Sequence, residues 1–185
     1  MTGMNDDRRE VRLGGERVYS GRVVTLEVDR VCLPDGSQSV REVIRHRGAA
    51  VILPILDGGR VLLVRQFRYP TGEELLELPA GTLEPGEEPR RCAARELVEE
   101  TGWRAESLRD LGIFYSTPGF TDERLHAVLA TGLQRVEDGP AGDADESIEV
   151  VEMDVEDVLS LARGGRIHDS KTLATILLAR LQALI

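Results

Sequence analysis

Cysteine is nearly absent from this chain of 185 residues: Cys32 and Cys92 are the only two. Neither stands in a CxxC or Cys/His spacing, which excludes a cysteine-based zinc site, and each sits among apolar neighbours as a small buried thiol would. Positive charge is also short. Lys and Arg total 23 against 33 Asp and Glu, a formal net charge of −10. Phosphate backbones and anionic membrane surfaces attract basic proteins, so neither nucleic acid nor membrane is expected as a partner. A small phosphate-bearing substrate fits only if local cations or a metal ion meet it. No run of about 18 apolar residues occurs, so no helix is expected to cross a membrane. Residues 1–10, MTGMNDDRRE, lack the apolar segment of a signal peptide. The expected compartment is the reducing cytoplasm. The three histidines, His46, His126 and His168, have no Ser, Cys or metal-spaced partner and read as structural. Internal repeats and low-complexity segments are missing as well.

What is present is ordinary globular material, 41% apolar and 30% charged, long enough for one domain with a small appendage. Residues 1–15 are polar and read as a disordered tail. Residues 16–47 read as an N-terminal β region: RVVTLEVDRVCL and SVREVIRH alternate around an Asp35-Gly36 turn, a hairpin signal. From residue 48 the main domain begins. AAVILPIL is a continuous apolar run, expected as a buried strand, and RVLLVRQFR follows as another. The pattern then predicts a helix over about Glu87–Thr101, capped by Gly102. Strands are expected in SLRDLGIFYS, RLHAVLAT and IEVVEMD, a short helix in VEDVLSLARGG, and a last helix with Asp169 or Ser170 as N-cap. Strands are not each followed by a helix, which argues against a doubly wound sheet. The expected class is α+β, a mixed sheet flanked by two or three helices.

The first helix carries an unusual load. Glu96, Glu99 and Glu100 fall three and four residues apart, on one face, where like charges cost a few tenths of a kcal/mol per pair. Arg95, four residues before Glu99, offsets part of that but is not expected to neutralise three carboxylates. The bland reading is a solvated acidic face with one ion pair. The sharper reading is a site for Mg²⁺ or Mn²⁺, hard ions that prefer carboxylate oxygens. A tight loop with Gly81 and Gly86 leads into the helix, with Glu87 at its first turn, and can bring a backbone carbonyl beside the carboxylates.

Residues 81–103, GTLEPGEEPRRCAARELVEETGW, resemble the Nudix box, G-x5-E-x7-R-E-U-x-E-E-x-G-U with U bulky and apolar. Gly81, Glu87, Arg95, Glu96, Leu97, Glu99, Glu100, Gly102 and Trp103 fill every defined position. The resemblance implies a Nudix-like α/β/α sandwich over residues 48–185. It implies hydrolysis of a nucleoside diphosphate linked to another moiety, with two or three divalent ions. Residue by residue, it implies Glu96 and Glu100 as metal ligands with Glu99 close by, and the Ala80 carbonyl as a backbone ligand. Glu87 and Arg95 would brace the loop against the helix.

Outside the box, VRQFRYP, ELLELPAGTLEPGE, STPGFTDERLH and DSKTLA are similar to the ADP-ribose pyrophosphatase group, and Pro118 falls where that group carries a marker proline. The implied substrate contacts are Arg68 and Arg41, whose planar forks suit phosphate oxygens, the latter across a dimer. Each has an alternative as a solubilising strand arginine. Glu77 either approaches the ribose or braces the site. For the general base the resemblance implies a glutamate in GDADESIEV; Glu146 is the choice, with Asp143, Asp145 and Glu149 as rivals. Phe114, Tyr115 and Phe120 either line an adenine pocket or pack locally. The expectation is a cytoplasmic homodimer that hydrolyses ADP-ribose to AMP and ribose 5-phosphate. Its rivals are the same chemistry on another nucleoside diphosphate sugar such as GDP-mannose, and a non-catalytic ADP-ribose sensor.

Overall fold

A computed structural model of the chain describes residues 8–136 and 147–185. In chain order the elements are β1 (Val11–Ser20), β2 (Thr25–Cys32), β3 (Gln38–Arg45), β4 (Ala49–Leu56), β5 (Arg60–Arg68), β6 (Glu73–Glu77), β7 (Ala80–Thr82), α1 (Pro89–Thr101), β8 (Trp103–Tyr115), β9 (Arg124–Arg135), β10 (Ile148–Asp154), α2 (Val155–Arg163) and α3 (Ser170–Leu181). They divide into two units. One comprises residues 8–46 with Thr117–Glu123; the other comprises Arg47–Ser116 with Arg124–Ile185.

The larger unit is built on β4. Its apolar run has no polar side to turn outward, so it needs cover on both faces. It receives it. Ala50 and Ile52 point into a cluster with Cys92, Ala93 and Leu97 of α1, while Val51 and Leu53 point into a cluster with Val158 of α2 and Ile176 and Ala179 of α3. The period of two along one strand thus sorts three helices onto opposite faces, one against two. The sheet runs β10-β5-β4-β9-β8, with β6 added to β5 and β7 added to β4. It is mixed: β4 lies parallel to β9 from Ala49–Leu125 to Pro54–Ala130, and the other pairings are antiparallel. The expected mixed-sheet sandwich is the fold observed.

Helix α1 begins at Pro89, two residues later than expected. Proline suits the first helical position, where its fixed φ is helical and its missing N–H has no partner to lose. Glu87 therefore lies before the helix, in a turn where its N–H donates to the Glu84 carbonyl at 3.0 Å. The other end behaves as the sequence implied. Gly102 takes φ 72°, a left-handed cap that glycine adopts without strain, and donates to the Val98 carbonyl at 2.9 Å.

The smaller unit is a three-stranded antiparallel sheet in the order β1-β2-β3. The β2–β3 hairpin turns at Gly36, φ 84°, as expected. Strand β1 is a correction. Residues 11–15 were expected in a disordered tail, but pairing with β2 starts at Val11–Cys32. Its signal is faint because nearly all of β1 is exposed, with Gly14 and Gly15 inside it, so no apolar alternation betrays it. Besides its backbone pairing with β2, an ion pair holds it: the buried Asp29 of β2 accepts from Arg12 at 2.8 Å, and is itself fixed by Arg45 of β3 at 3.2 Å. The segment Thr117–Glu123 is pinned on β3 by Ile44 N–H to the Phe120 carbonyl, 2.8 Å, and His46 N–H to Asp122, 2.8 Å.

Candidate functional site

Arg95 organises the acidic end of α1. Its Nε and Nη2 grip Glu87 in a bidentate pair at 3.1 and 3.0 Å, and its Nη1 meets Glu96 at 2.6 Å and Glu99 at 2.9 Å. Nη2 also donates to the Thr82 carbonyl at 3.3 Å, joining helix to loop. One guanidinium thus contacts three carboxylates, more than the single i,i+4 pair read from the sequence. The Arg95 hydrogen bonds hold the Glu87 carboxyl down at about 2, helped by the backbone N–H of Glu84. The same contacts raise the Arg95 guanidinium above its ordinary value.

The loop makes room for this. A Cβ on Gly81 would lie 1.9 Å from the Glu96 carboxyl carbon, so the space that a side chain would take is filled by that carboxylate. The buried Glu100 accepts the Ala80 N–H at 3.1 Å. The two carboxylates thus reach adjacent residues of β7, Glu96 at Gly81 and Glu100 at Ala80. Cys92 lies under the loop, its thiol donating to the Gly81 carbonyl at 3.4 Å. Burial, then the charges of Glu96 and Glu87, push that thiol up to about 12. Among the described residues no three acidic, His or Cys side chains already converge on one point. Arg95 stands between Glu96 and Glu99, and Glu100 turns to the Ala80 amide. The donor set is nonetheless all hard oxygen at a backbone cradle, which fits Mg²⁺ or Mn²⁺ and no soft metal.

A second polar cluster joins β5, β6 and α3. Arg68 clamps Glu77 with Nε at 2.9 Å and Nη2 at 2.7 Å. Lys171 contacts the same Glu77 carboxylate and lies 3.0 Å from Asp169. Asp169 is the N-cap of α3, accepting from Thr172 N–H at 2.9 Å, and Thr172 Oγ1 accepts from Leu78 N–H at 2.8 Å. Burial pushes the Glu77 carboxyl up, but Arg68 and Lys171 together bring it below its ordinary value. The Glu77 hydrogen bond raises Arg68, which also feels the charges of Glu100 and Asp169. Glu77 is 1% exposed, and both its oxygens are taken, by Arg68 and Lys171. Lys171 was missed. DSKTLA was noted in the sequence, but only its cap was assigned.

The remaining expected residues scatter. Arg41 belongs to the smaller unit and pairs with Glu10 at 2.6 Å. Pro118 lies in the segment that groups with that unit. Glu146, Asp143 and Asp145 lie outside the described residues. Glu149, on β10, pairs with Arg65 at 2.8 Å and is well exposed. Phe114 packs partly into the core, whereas Tyr115 and Phe120 are half exposed, with Arg124 5.9 Å over the Tyr115 ring. A cleft of about 910 Å³ opens beside the first turn of α1, lined in part by Arg90, Asp110, Gly112 and His126. Arg90 and Asp110 close on each other at 2.9 and 2.8 Å, which lowers the Asp110 carboxyl. Burial, then Arg124, lowers His126 from its ordinary value.

Comparison with known proteins shows the family and the fold. The model of the NUDIX domain matches residues 45–176. The ADP-ribose pyrophosphatase of Bacillus subtilis (strain 168) is 43% identical over 163 residues, covering 88% of each chain. The methanol dehydrogenase activator of Bacillus methanolicus is 41% identical over 167 residues, covering 90% of each. The crystal structure of an ADP compounds hydrolase superposes with a TM-score of 0.83 over 96% of this chain and 97% of that one, at 24% identity, a likeness of fold.

Proposed function

The chain belongs to the Nudix family, and from that membership we propose that it hydrolyses the diphosphate of ADP-ribose, giving AMP and ribose 5-phosphate. The observation that carries this reading is the meeting of Glu96 and Glu100 at the Ala80–Gly81 backbone, braced by Arg95 and Glu87. Substrate choice draws its support from the B. subtilis relative, which spans nearly the whole chain.

In this reading Glu96, Glu100, Glu99 and the Ala80 carbonyl would hold Mg²⁺ or Mn²⁺, as two or three ions. Such ions draw charge from a diphosphate and make water a better nucleophile. The chain supplies the rest. Arg95 and Glu87 keep the loop closed on the helix, so that the ligands start close to their working positions. Arg68 donates to the phosphate oxygens, and Arg41 of a dimer partner is the proposed second contact. Water adds to one phosphorus, the bond from that phosphorus to the bridging oxygen breaks, and a carboxylate takes the proton of the water. Glu146 is the proposed carboxylate. The cleft beside α1, with Arg90 and Asp110, has the volume typical of a small-molecule site.

The protein is further proposed to act as a homodimer in the cytoplasm. The dimer is supported by β1, a ten-residue edge strand whose Val11, Leu13, Val18 and Tyr19 are exposed. The cytoplasm is supported by two free thiols. Light scattering giving a monomer mass would contradict the first.

Incubating purified protein with Mg²⁺ and ADP-ribose, GDP-mannose, ADP-glucose or NADH, and measuring product release, tests the activity. Fastest release of AMP from ADP-ribose is expected, abolished by EDTA while the circular dichroism of the fold persists. Preference for GDP-mannose would overturn the substrate, and no turnover on any of the four would overturn the enzyme.

A further inference from the structure

One segment has no task in that scheme: Asp169–Thr172, the start of α3. Its side chains do not stop at capping the helix. Lys171, 16% exposed, reaches back to Glu77 on β6, and Thr172 bonds the backbone of Leu78 beside it. Leu78 is two residues before Ala80, whose amide holds Glu100. The helix start therefore fastens the strand that leads into the carboxylate site.

The charges alternate through the cluster: Arg68, Glu77, Lys171, Asp169. Glu77 is the hinge of the arrangement. A carboxylate with one cation can rotate about its last bonds and carry a bidentate partner with it. Lys171 on Glu77 Oε2 removes that freedom, and Asp169, fixed as the cap, holds Lys171 in turn. Arg68 spends Nε and Nη2 on Glu77; among the described residues its Nη1 makes no hydrogen bond. Nη1 is thus the edge of the fork available to a ligand, and its placement depends on how Glu77 is held. A buried carboxylate locked from two sides is a means of aiming an arginine.

We propose that Lys171 is a positioning residue for the diphosphate-binding Arg68, acting through Glu77, so that the start of α3 belongs to the phosphate-gripping apparatus. This rests on the assignment of Arg68 to the diphosphate of the substrate made above. Lys171 touches no reacting atom; its effect passes through the Arg68 fork.

The test is steady-state kinetics with ADP-ribose and Mg²⁺ on Lys171→Met, Lys171→Arg, Arg68→Ala and the double variant Lys171→Met/Arg68→Ala. Lys171→Met should raise KM on the order of tenfold, the effect of one charge-assisted hydrogen bond. The change in kcat should be much smaller, and the Mg²⁺ concentration for half-maximal rate should not move. Lys171→Arg should restore most of the loss. In the Arg68→Ala background Lys171→Met should add little, because the group it aims is gone. If Lys171→Met is insoluble, Lys171→Gln gives the same readout. Penalties that add in the double variant, or a lowered melting temperature with KM unchanged, would overturn the proposal and mark Lys171 as a purely structural partner of Glu77. Failure of the wild-type protein to turn over ADP-ribose is a separate outcome that removes the parent reading and the proposal with it.

Discussion

Gly81 and Glu96 share one space: a methyl group on the glycine would sit 1.9 Å from the carboxyl carbon of the glutamate. Glu96 is the long, flexible partner, so it is the one that yields. Gly81→Ala should leave the fold and its melting temperature nearly intact while displacing the Glu96 carboxylate. A displacement of about 1 Å in a catalytic arrangement costs about a hundredfold in rate. Turnover and melting measured on the same preparation check this, and unchanged turnover would refute the placement of Glu96.

Glu87 makes the acid limit of the protein partly its own. Its folded value of about 2 lies below the ordinary 4.5. Ionised Glu87 therefore stabilises the fold fully above pH 4.5, and that contribution fades as the pH falls toward 2. Glu87→Gln should lower the melting temperature at neutral pH and flatten its fall between these two values. Thermal melts across the acid range would show it; parallel curves for the two proteins would count against the Arg95 pairing as its source.

Leu97 is the anchor that docks α1 on the sheet. It is fully buried against Ala50, Ile52 and Val128. Leu97→Ala should cost about 2–5 kcal/mol of unfolding free energy, the usual range for a leucine truncated in a tight core. A urea titration with unchanged slope reads it directly.

Cys92 should be chemically silent. With its thiol pushed up to about 12 by burial and by Glu96 and Glu87, almost none of it is thiolate near neutrality. In the native protein an aromatic disulfide reagent at pH 8 should therefore report Cys32 alone, and both thiols once the chain is unfolded. Rapid labelling of Cys92 in the folded protein would contradict its buried, acid-flanked setting.

Much of the larger unit can be read from residue order because its signals are local. A run of eight apolar residues has to be a covered strand, a glycine after Thr101 has to end a helix, and box residues at fixed spacing meet on one helix and one loop. What escapes is what depends on distant partners. Strand β1 is exposed, so no periodicity marks it, and Arg12 finds Asp29 only in three dimensions. Helical spacing gives Arg95 only Glu99 as a partner; its grip on Glu87, eight residues back and across a loop, was implied by the resemblance and not by spacing. Lys171 and Glu77 are far apart in the chain, and neither has a neighbour in sequence that hints at the pairing. Arg41, Arg68 and Pro118 came from resemblance alone: Arg68 belongs to the larger unit and feels the charge of Glu100, and the other two belong to the smaller unit.

The parallel pairing of β4 with β9 sets an order of events during synthesis. Strand β4 is made early and receives β7 along its first residues, but its other edge waits for Leu125–Ala130. Contacts between segments so far apart in the chain form slowly, because a long loop must close before they reward it. The acidic helix and its loop are complete well before that partner leaves the ribosome. A nascent chain halted before β9 should therefore expose a finished Nudix box on an unfinished sheet, protease-sensitive and without activity, and become resistant within the next few dozen residues.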